Sequence, residues 1–418
     1  MISCGIDFGT SNSSIALSNH GKVNLVPVER NQFTIPSALF YQHKTHQPFF
    51  GREAAELFFA RKEGRFMRSL KRVLGTDLMK HGTSVNGRVM KFENIIASFL
   101  DNLKVKAEEF SGQTLDRVVM GRPVHFIDGN PSGDKRAQEE LAQIARQIGF
   151  KEIAFQLEPI AAAFAHEVNV KEERLALVAD LGGGTSDFTV IRLSNQYMHK
   201  VDRSSDILAN TGVRIGGNDF DKDLSLKAIM PALGYGTTYG SKNLEVPIKP
   251  YHDLAEWSRV NLLYTVKLRA QVKQILYEAH DKRKYERLVK ILEQETGHAV
   301  LAATEETKIA LTSYDHYSAP FDFIEKEMRI PIQRPLFEEA IHEHIQRIED
   351  TVKECLHQAQ VDKKQIDLVI LTGGTTEVPM VQNIFKRLFP SAALADENKL
   401  SSVGLGLAYD SLHKFACS

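Results

Sequence analysis

Cysteine is scarce in this chain: Cys4, Cys355 and Cys417 are the three in 418 residues, with no Cys-x-x-Cys pair and no Cys/His cluster. That pattern argues against a disulfide framework and a structural zinc site, and it fits a reducing compartment. Neither sign of charge dominates. Lys and Arg number 52 against 53 Asp and Glu, a formal charge of −1, so no overall basic field draws the chain to nucleic acid or anionic lipid. No apolar run approaches the length that spans a bilayer. The first residues enter a strand at once, without the basic segment and apolar stretch of a secretory signal. Low-complexity segments and flexible linkers are absent too. Together these absences predict a soluble cytoplasmic protein. The densest basic stretch, Arg61, Lys62, Arg65, Arg68, Lys71 and Arg72, reads as a solvated helix face rather than a nucleic-acid site.

What is present is apolar mass and glycine in particular places. With 43% hydrophobic residues over this length, the chain can bury two substantial cores and favours two or more domains. Gly5-Ile6-Asp7-Phe8-Gly9-Thr10-Ser11-Asn12 and Ala179-Asp180-Leu181-Gly182-Gly183-Gly184-Thr185-Ser186-Asp187 share one grammar. An apolar run reaches an aspartate, turns through glycine to a hydroxyl residue, and resumes as an apolar, β-branched run. This predicts a β-hairpin whose turn lacks side-chain bulk. Its N–H groups can close on phosphate oxygens, and its aspartate can hold a metal's water shell. One copy also describes an ordinary turn. Two copies, 173 positions apart (180 − 7), predict a duplicated domain with nucleotide in the cleft between the halves.

Along the chain, residues 1–35 read as a β-meander turning at Gly21-Lys22, with a strand region from Ile35 to Phe40. Helical spacing covers 52–74 with a break near Gly64, and a long helix covers 92–110. A buried strand at 118–123 ends in Pro123, a Gly/Pro/Asp-rich loop follows over 128–134, then a helix over 135–148 and a strand over 153–156. Glu158-Pro159 opens the next helix, with proline where its missing N–H costs nothing. The second half predicts a strand over 175–180, helix after Gly216-Gly217, and a charged helical insertion over 251–298 with two solvated helices. A helix over 337–358, a strand over 368–371, a third glycine turn at Gly373-Gly374-Thr375, and helices over 381–388 and 404–412 complete the chain. Alternating strands and helices, with both hairpins and crossovers, imply an α/β fold with mixed sheets.

The ordered set formed by the two turns, Gly216-Gly217-Asn218-Asp219-Phe220-Asp221 and Leu371-Thr372-Gly373-Gly374-Thr375 resembles the phosphate and adenosine signatures of the actin-like ATPases. With Ser69-Leu70-Lys71-Arg72-Val73-Leu74-Gly75 and Leu157-Glu158-Pro159-Ile160-Ala161-Ala162-Ala163, it resembles most the nucleotide-binding domain of the seventy-kilodalton heat-shock chaperones (the DnaK family). Within that family it looks like the YegD-like branch, which lacks the peptide-binding domain. The resemblance spans the whole chain. It implies two lobes, each holding a ribonuclease-H-like mixed sheet flanked by helices, with nucleotide between them. Lobe I would be 1–173 with a small outer subdomain at about 36–93; lobe II would be 174–418 with a mostly helical outer subdomain at about 218–334.

The resemblance also implies roles. Asp7 and Asp180 would hold Mg²⁺ mostly through water, because Mg²⁺ dehydrates reluctantly. Gly9, Thr10, Ser11 and Asn12 would offer donors to the β- and γ-phosphates, with Gly182, Gly183, Gly184 and Thr185 doing so from the other lobe. Phosphoryl transfer needs positioning and charge neutralisation, and Lys71 holds the family's lysine position beside the γ-phosphate. Asp187 and Glu158 match positions that order the attacking water and metal shell, although a carboxylate at a helix start also suits Glu158. Pro123 and Arg136 resemble the family's proline switch and arginine relay. Gly216, Gly217, Gly373 and Gly374 match the adenosine turns, Glu305 and Lys308 the ribose-binding positions, and Thr312 the base-contacting hydroxyl.

At the adenine end the sequence departs from the family. Ile309 and Glu377 stand where the family carries arginines that stack on the base. Each such stack is worth roughly 0.5–2 kcal/mol, so losing both weakens adenine binding by about one to three orders of magnitude. Other candidates are plainer. His342 and His344 fall on different helix faces, and Asp219 and Asp221 suit either a metal or a helix start. The expected function is an ATP- and Mg²⁺-dependent chaperone-like ATPase without a peptide-binding domain, switching conformation with nucleotide and meeting a protein partner on its own surface. The alternatives are an ATP-sensing scaffold with little turnover and a sugar-kinase-like phosphotransferase.

Overall fold

The computed structural model describes residues 2–43, 47–60, 62–85, 87–200, 203–395 and 400–415; Arg61 and Cys417 lie outside them. Contacts group the chain into two compact units. The first comprises Met1–Gly216, Arg347–Glu377 and Val381–Ser418, and the second Gly217–Gln346 with Val378–Met380.

In the first unit, β1 (Ile2–Phe8), β2 (Asn12–Asn19) and β3 (Lys22–Leu25) form the expected antiparallel meander. β4 (Arg117–Arg122) and β5 (Glu152–Leu157) extend it in parallel, giving the order β5-β4-β1-β2-β3. α1 (Phe92–Ser111) and α2 (Pro131–Gln147) cover one face. Ile95, Ile96, Phe99, Leu100 and Leu103 recur at helical spacing on α1, and they pack with Phe8, Ile15, Leu17, Leu141 and Ile144 into one core. α2 begins earlier than expected. Asn130 caps it by accepting from the Gly133 N–H at 3.0 Å, with Pro131 at the first helical position, so half of the expected loop is helix. α3 (Glu158–Glu167) follows β5.

The stretch 52–74 corrects the sequence expectation. Only Gly51–Phe59 is α-helix. After the break at Gly64 the chain forms the strand Gly64–Arg68, paired with Ala38–Gln42, and then a single 3₁₀ turn, Leu70–Val73. Arg65 and Arg68 therefore sit on a strand and Lys71 is buried, so the basic stretch is not a solvated helix face. Period-3.6 spacing misleads there because Phe66 and Met67 are buried on a strand of a three-stranded sheet rather than along one helix stripe.

The second half repeats the first. β6 (Arg174–Leu181), β7 (Ser186–Leu193) and β8 (Ile207–Val213) form a second antiparallel meander. The second unit then intervenes with α4 (Gly217–Leu224), α5 (Val266–Glu278), α6 (Lys282–Glu293), α7 (Gly297–Ser313) and the start of α8 (Arg334–Ala359). Its core gathers Phe220, Tyr251, Tyr285, Leu288, Leu292 and Val300. Back in the first unit, β9 (Leu368–Thr372), α9 (Pro379–Leu388), β10 (Ala393–Ala395) and α10 (Ser402–Lys414) follow, giving the sheet order β8-β7-β6-β9-β10. β9 and β10 join in parallel. Both sheets thus have the same order and the same directions, which is the duplication that the twin turns predicted.

α3 and α10, the helices after the last strand of each repeat, pack against each other across Ile160, Ala161, Val403 and Leu407. Their approach requires Gly406, because a Cβ there would lie 1.6 Å from the Ala161 carbonyl oxygen. α10 also lies on β1, where the hydroxyls of Ser3 and Ser411 are 2.7 Å apart. Among the described residues, no helix is long and apolar enough to cross a membrane.

Candidate functional site

Each meander opens at its first hairpin, and both hairpins turn alike. β1 and β2 pair from Ile2↔Asn19 to Phe8↔Ser13, so Gly9-Thr10-Ser11-Asn12 bridges them. β6 and β7 pair to Leu181↔Ser186, leaving Gly182-Gly183-Gly184-Thr185 as the bridge. The second bridge closes with the Gly182 N–H donating to the Thr185 carbonyl at 2.9 Å. The first is tighter, since a Cβ on Gly9 would meet the Asn12 carbonyl oxygen at 2.0 Å. Ser37 braces the first turn, donating from its hydroxyl to the Gly9 carbonyl at 2.7 Å and from its N–H to the Ser11 carbonyl at 2.8 Å.

The two turns meet. A Cβ on Gly184 would lie 2.8 Å from the Thr10 hydroxyl, so the bridges approach with no side chain between them. The third glycine turn joins the second: Thr375 donates from its hydroxyl to the Gly182 carbonyl at 2.7 Å, with Gly373 and Gly374 beside it. Gly216 packs on the Gly184 backbone. Turns read as separate motifs therefore converge within the first unit.

Lys71 and Glu158 complete the cluster. The 3₁₀ turn brings Lys71 inward and the start of α3 presents Glu158; their side chains form an ion pair, 6% and 7% exposed. Burial opposes the Lys71 charge, but Glu158, Asp7 and Asp187 more than restore it, leaving the ammonium group raised above its ordinary pKa. Asp7 and Asp180 are both pushed well above the usual carboxylate range, first by burial and then by Glu158. Asp180 also raises Asp7, and Asp187 raises Asp180, while Lys71 pulls both down. Asp187 lies opposite Asp180 across the strand pair. Burial, then the charge on Glu158, raises it to about 7 against the pull of Thr185, Val124 and Lys71. Its Oδ1 accepts from the Val124 N–H at 2.8 Å, and its buried Oδ2 has no hydrogen-bond partner among the described residues.

Four carboxyl groups and one ammonium in a buried space call for added positive charge. Among the described residues, no three carboxylate, imidazole or thiolate groups converge closely enough to grip a metal directly. That donor set suits a cation that keeps its water shell, as Mg²⁺ does.

The adenosine candidates divide between the units. In the second, α7 carries Glu305, Lys308, Ile309 and Thr312. Lys308 is 2.9 Å from Asp221 and donates to the Gly217 carbonyl at 3.1 Å, so Asp221 serves as its counter-ion. Thr312 donates to the Ile309 carbonyl at 2.7 Å, and Ile309 is 58% exposed. Glu377 ends the 3₁₀ turn Gly374–Glu377 of the first unit and is exposed. His344 pairs with Asp223 at 2.8 Å and His342 contacts Gln346. Arg136 donates to the Gly75 carbonyl, at the end of the Lys71 segment. Sequence reasoning missed Asp128 and Arg214, whose contacts depend on loops that no local pattern brings together.

Two equivalent mixed sheets, each opening in an Asp–Gly hairpin turn, with the turns in contact, define the actin-like ATPase fold. Within it the chain belongs to the Hsp70 protein family, whose model matches residues 3–230 and 272–411. It is similar to the protein named "Chaperone protein DnaK" of Thermosipho melanesiensis, 28% identical over 407 residues that cover 97% of this chain and 58% of that protein. Similarity to the protein of the same name from Thermosipho africanus is 28% over 409 residues, again 97% and 58%. The chain thus spans 58% of the length of these curated relatives.

Proposed function

We propose that the chain binds ATP and ADP at the converged glycine turns and hydrolyses ATP slowly, as a chaperone-like conformational switch. The observation that carries this is the contact between the Thr10 and Gly184 turns beside the buried Lys71–Glu158 pair. N–H groups of Thr10, Ser11, Asn12, Gly183, Gly184 and Thr185 would take the phosphate oxygens. Asp7 and Asp180 would hold the water shell of Mg²⁺, which when bound neutralises charge on the β- and γ-phosphates. Lys71 supplies positive charge at the transferring group, and Glu158 keeps that ammonium aimed. Asp187, titrating at about 7 with Oδ2 unengaged, suits a group that orders a water and shares its proton. Changes in lobe geometry with nucleotide are what a protein partner would sense. The test is turnover of wild type against Lys71→Ala with and without Mg²⁺: equal rates would reject hydrolysis.

A second reading, an ATP sensor with little turnover, is favoured by Ile309 and Glu377 in place of the stacking arginines. Turnover of wild type against Lys71→Ala separates the two, and titration calorimetry with ATP and GTP tests the adenine end. Nanomolar ATP affinity with strict adenine preference would show that the base is held as firmly as in an arginine clamp.

A further inference from the structure

The segment that carries Lys71 is bent and held from several sides. Ser69, just before the 3₁₀ turn, has φ of 60°, a left-handed conformation that persists only where its surroundings impose it. On one side α2 grips the segment's end: the Gly75 N–H donates to Glu140 at 2.7 Å and Arg136 donates to the Gly75 carbonyl. On another side stands Arg214, the residue after β8. Its guanidinium donates to the Arg72 carbonyl at 2.8 Å, one peptide from Lys71.

Arg214 is itself fixed. Its N–H is shared by both oxygens of Asp128, each at 2.9 Å, and the Arg347 guanidinium stands 3.8 Å from the same carboxylate. Two residues before Arg214, Gly212 pairs with Asp187 on β7. Four residues before Asp128, the Val124 N–H donates to Asp187. A path of hydrogen bonds and short chain links therefore runs from Lys71 through Arg72, Arg214, Asp128 and Val124 to Asp187. Its members come from the two sequence repeats, with Lys71 and Asp128 on one side and Arg214 and Asp187 on the other.

We propose that Arg214, anchored by Asp128, is a positioning residue that holds the Lys71 turn in register with Asp187, so that ammonium and carboxyl address the same phosphate. This rests on the hydrolytic function proposed above. The guanidinium reaches Lys71 through the Arg72 backbone carbonyl, so on this proposal it acts by positioning. Lysine in its place retains one donor for that carbonyl.

The test has two arms on the full chain. In the first, hydrogen–deuterium exchange without nucleotide is compared for wild type, Arg214→Ala, Arg214→Lys and Asp128→Ala. Loss of one such hydrogen bond should speed exchange in peptides covering 69–76 by about 3–10-fold in Arg214→Ala and less in Asp128→Ala. Arg214→Lys should return it most of the way to wild type. Unchanged exchange there in both Arg214→Ala and Asp128→Ala would overturn the proposal, whatever the turnover. In the second arm, Arg214→Ala should lower kcat by a similar factor with KM nearly constant, and should lower nothing further in a Lys71→Ala background. An equal fall in both backgrounds would mean that Arg214 does not act through Lys71, and would also overturn it. Absence of any Lys71-dependent turnover in wild type would reject the hydrolytic function alone, leaving the exchange arm to decide the clasp.

Discussion

Replacing Lys71 by methionine removes the ammonium that stands among Asp7, Glu158, Asp180 and Asp187. The Lys71 and Glu158 side chains are 6% and 7% exposed, so water does little to screen what remains. Breaking a buried pair while leaving one charge behind costs about 3–5 kcal/mol. Protonation limits that cost. Asp187 already titrates at about 7, and Asp7 and Asp180 are raised too, so without Lys71 the cluster takes up a proton. The sign follows from linkage. Carboxyls whose folded pKa lies above the unfolded value make the native state bind more protons, so stability is full in acid and falls as pH rises through the folded value. Lys71→Met lifts those folded values further, which widens the window of loss. At about 1.4 kcal/mol per pH unit per proton, the penalty should be about 3 kcal/mol at pH 8 and roughly half that at pH 6. Urea unfolding in EDTA without nucleotide, at both pH values, reads it directly. Adding Glu158→Gln to the variant should recover part of the loss at pH 8. Equal penalties at both pH values, or a double variant no better than the single, would refute the electrostatic reasoning.

Other outcomes follow from contacts described above. Gly184→Ala places a methyl 2.8 Å from the Thr10 hydroxyl and should weaken ATP binding at least tenfold by calorimetry with little change in melting temperature; unaltered affinity would mean that the turns need not touch. Arg203 pairs with Glu167 at 2.7 Å and with Asp206 at 2.7 Å, its own side chain 9% exposed. Its replacement by alanine should cost about 3–5 kcal/mol, seen as a lower denaturant midpoint. Gly406→Ala forces α3 and α10 apart against the Ala161 carbonyl and should destabilise by more than about 3 kcal/mol; a melting temperature within a degree of wild type would contradict the packing described.

The hairpins were legible because their signal is local. Aspartate, glycine and a hydroxyl residue between two apolar runs specify a turn without reference to the rest of the chain, and the pairing reaches Phe8↔Ser13 and Leu181↔Ser186 as that grammar requires. The equivalence of the two sheets was foreseeable from the repeat alone. Residues 52–74 mislead because Phe66 on a short strand falls by chance at helical spacing from Leu70 and Val73 on the 3₁₀ turn. The start of α2 was read late because Asn130 and Pro131 look like loop residues until the cap they form is seen. Lys71 and Glu158, 87 positions apart, could be put together only through the family resemblance. Arg214 and Asp128, 86 positions apart, carried no motif at all; a single charge after a strand acquires meaning only when the fold supplies its partner.

The seating of α10 on β1 also sets a clock. Ser3 and Ser411 are separated by 408 positions, which at ordinary rates of synthesis takes roughly 20–80 s to translate. Throughout that interval the small residues Ser3, Gly5 and Ser14, shaped to receive a helix, face an empty place. β1 is thus completed by a helix made about 400 residues after it, and the first sheet waits through that stretch of synthesis before its second face is covered.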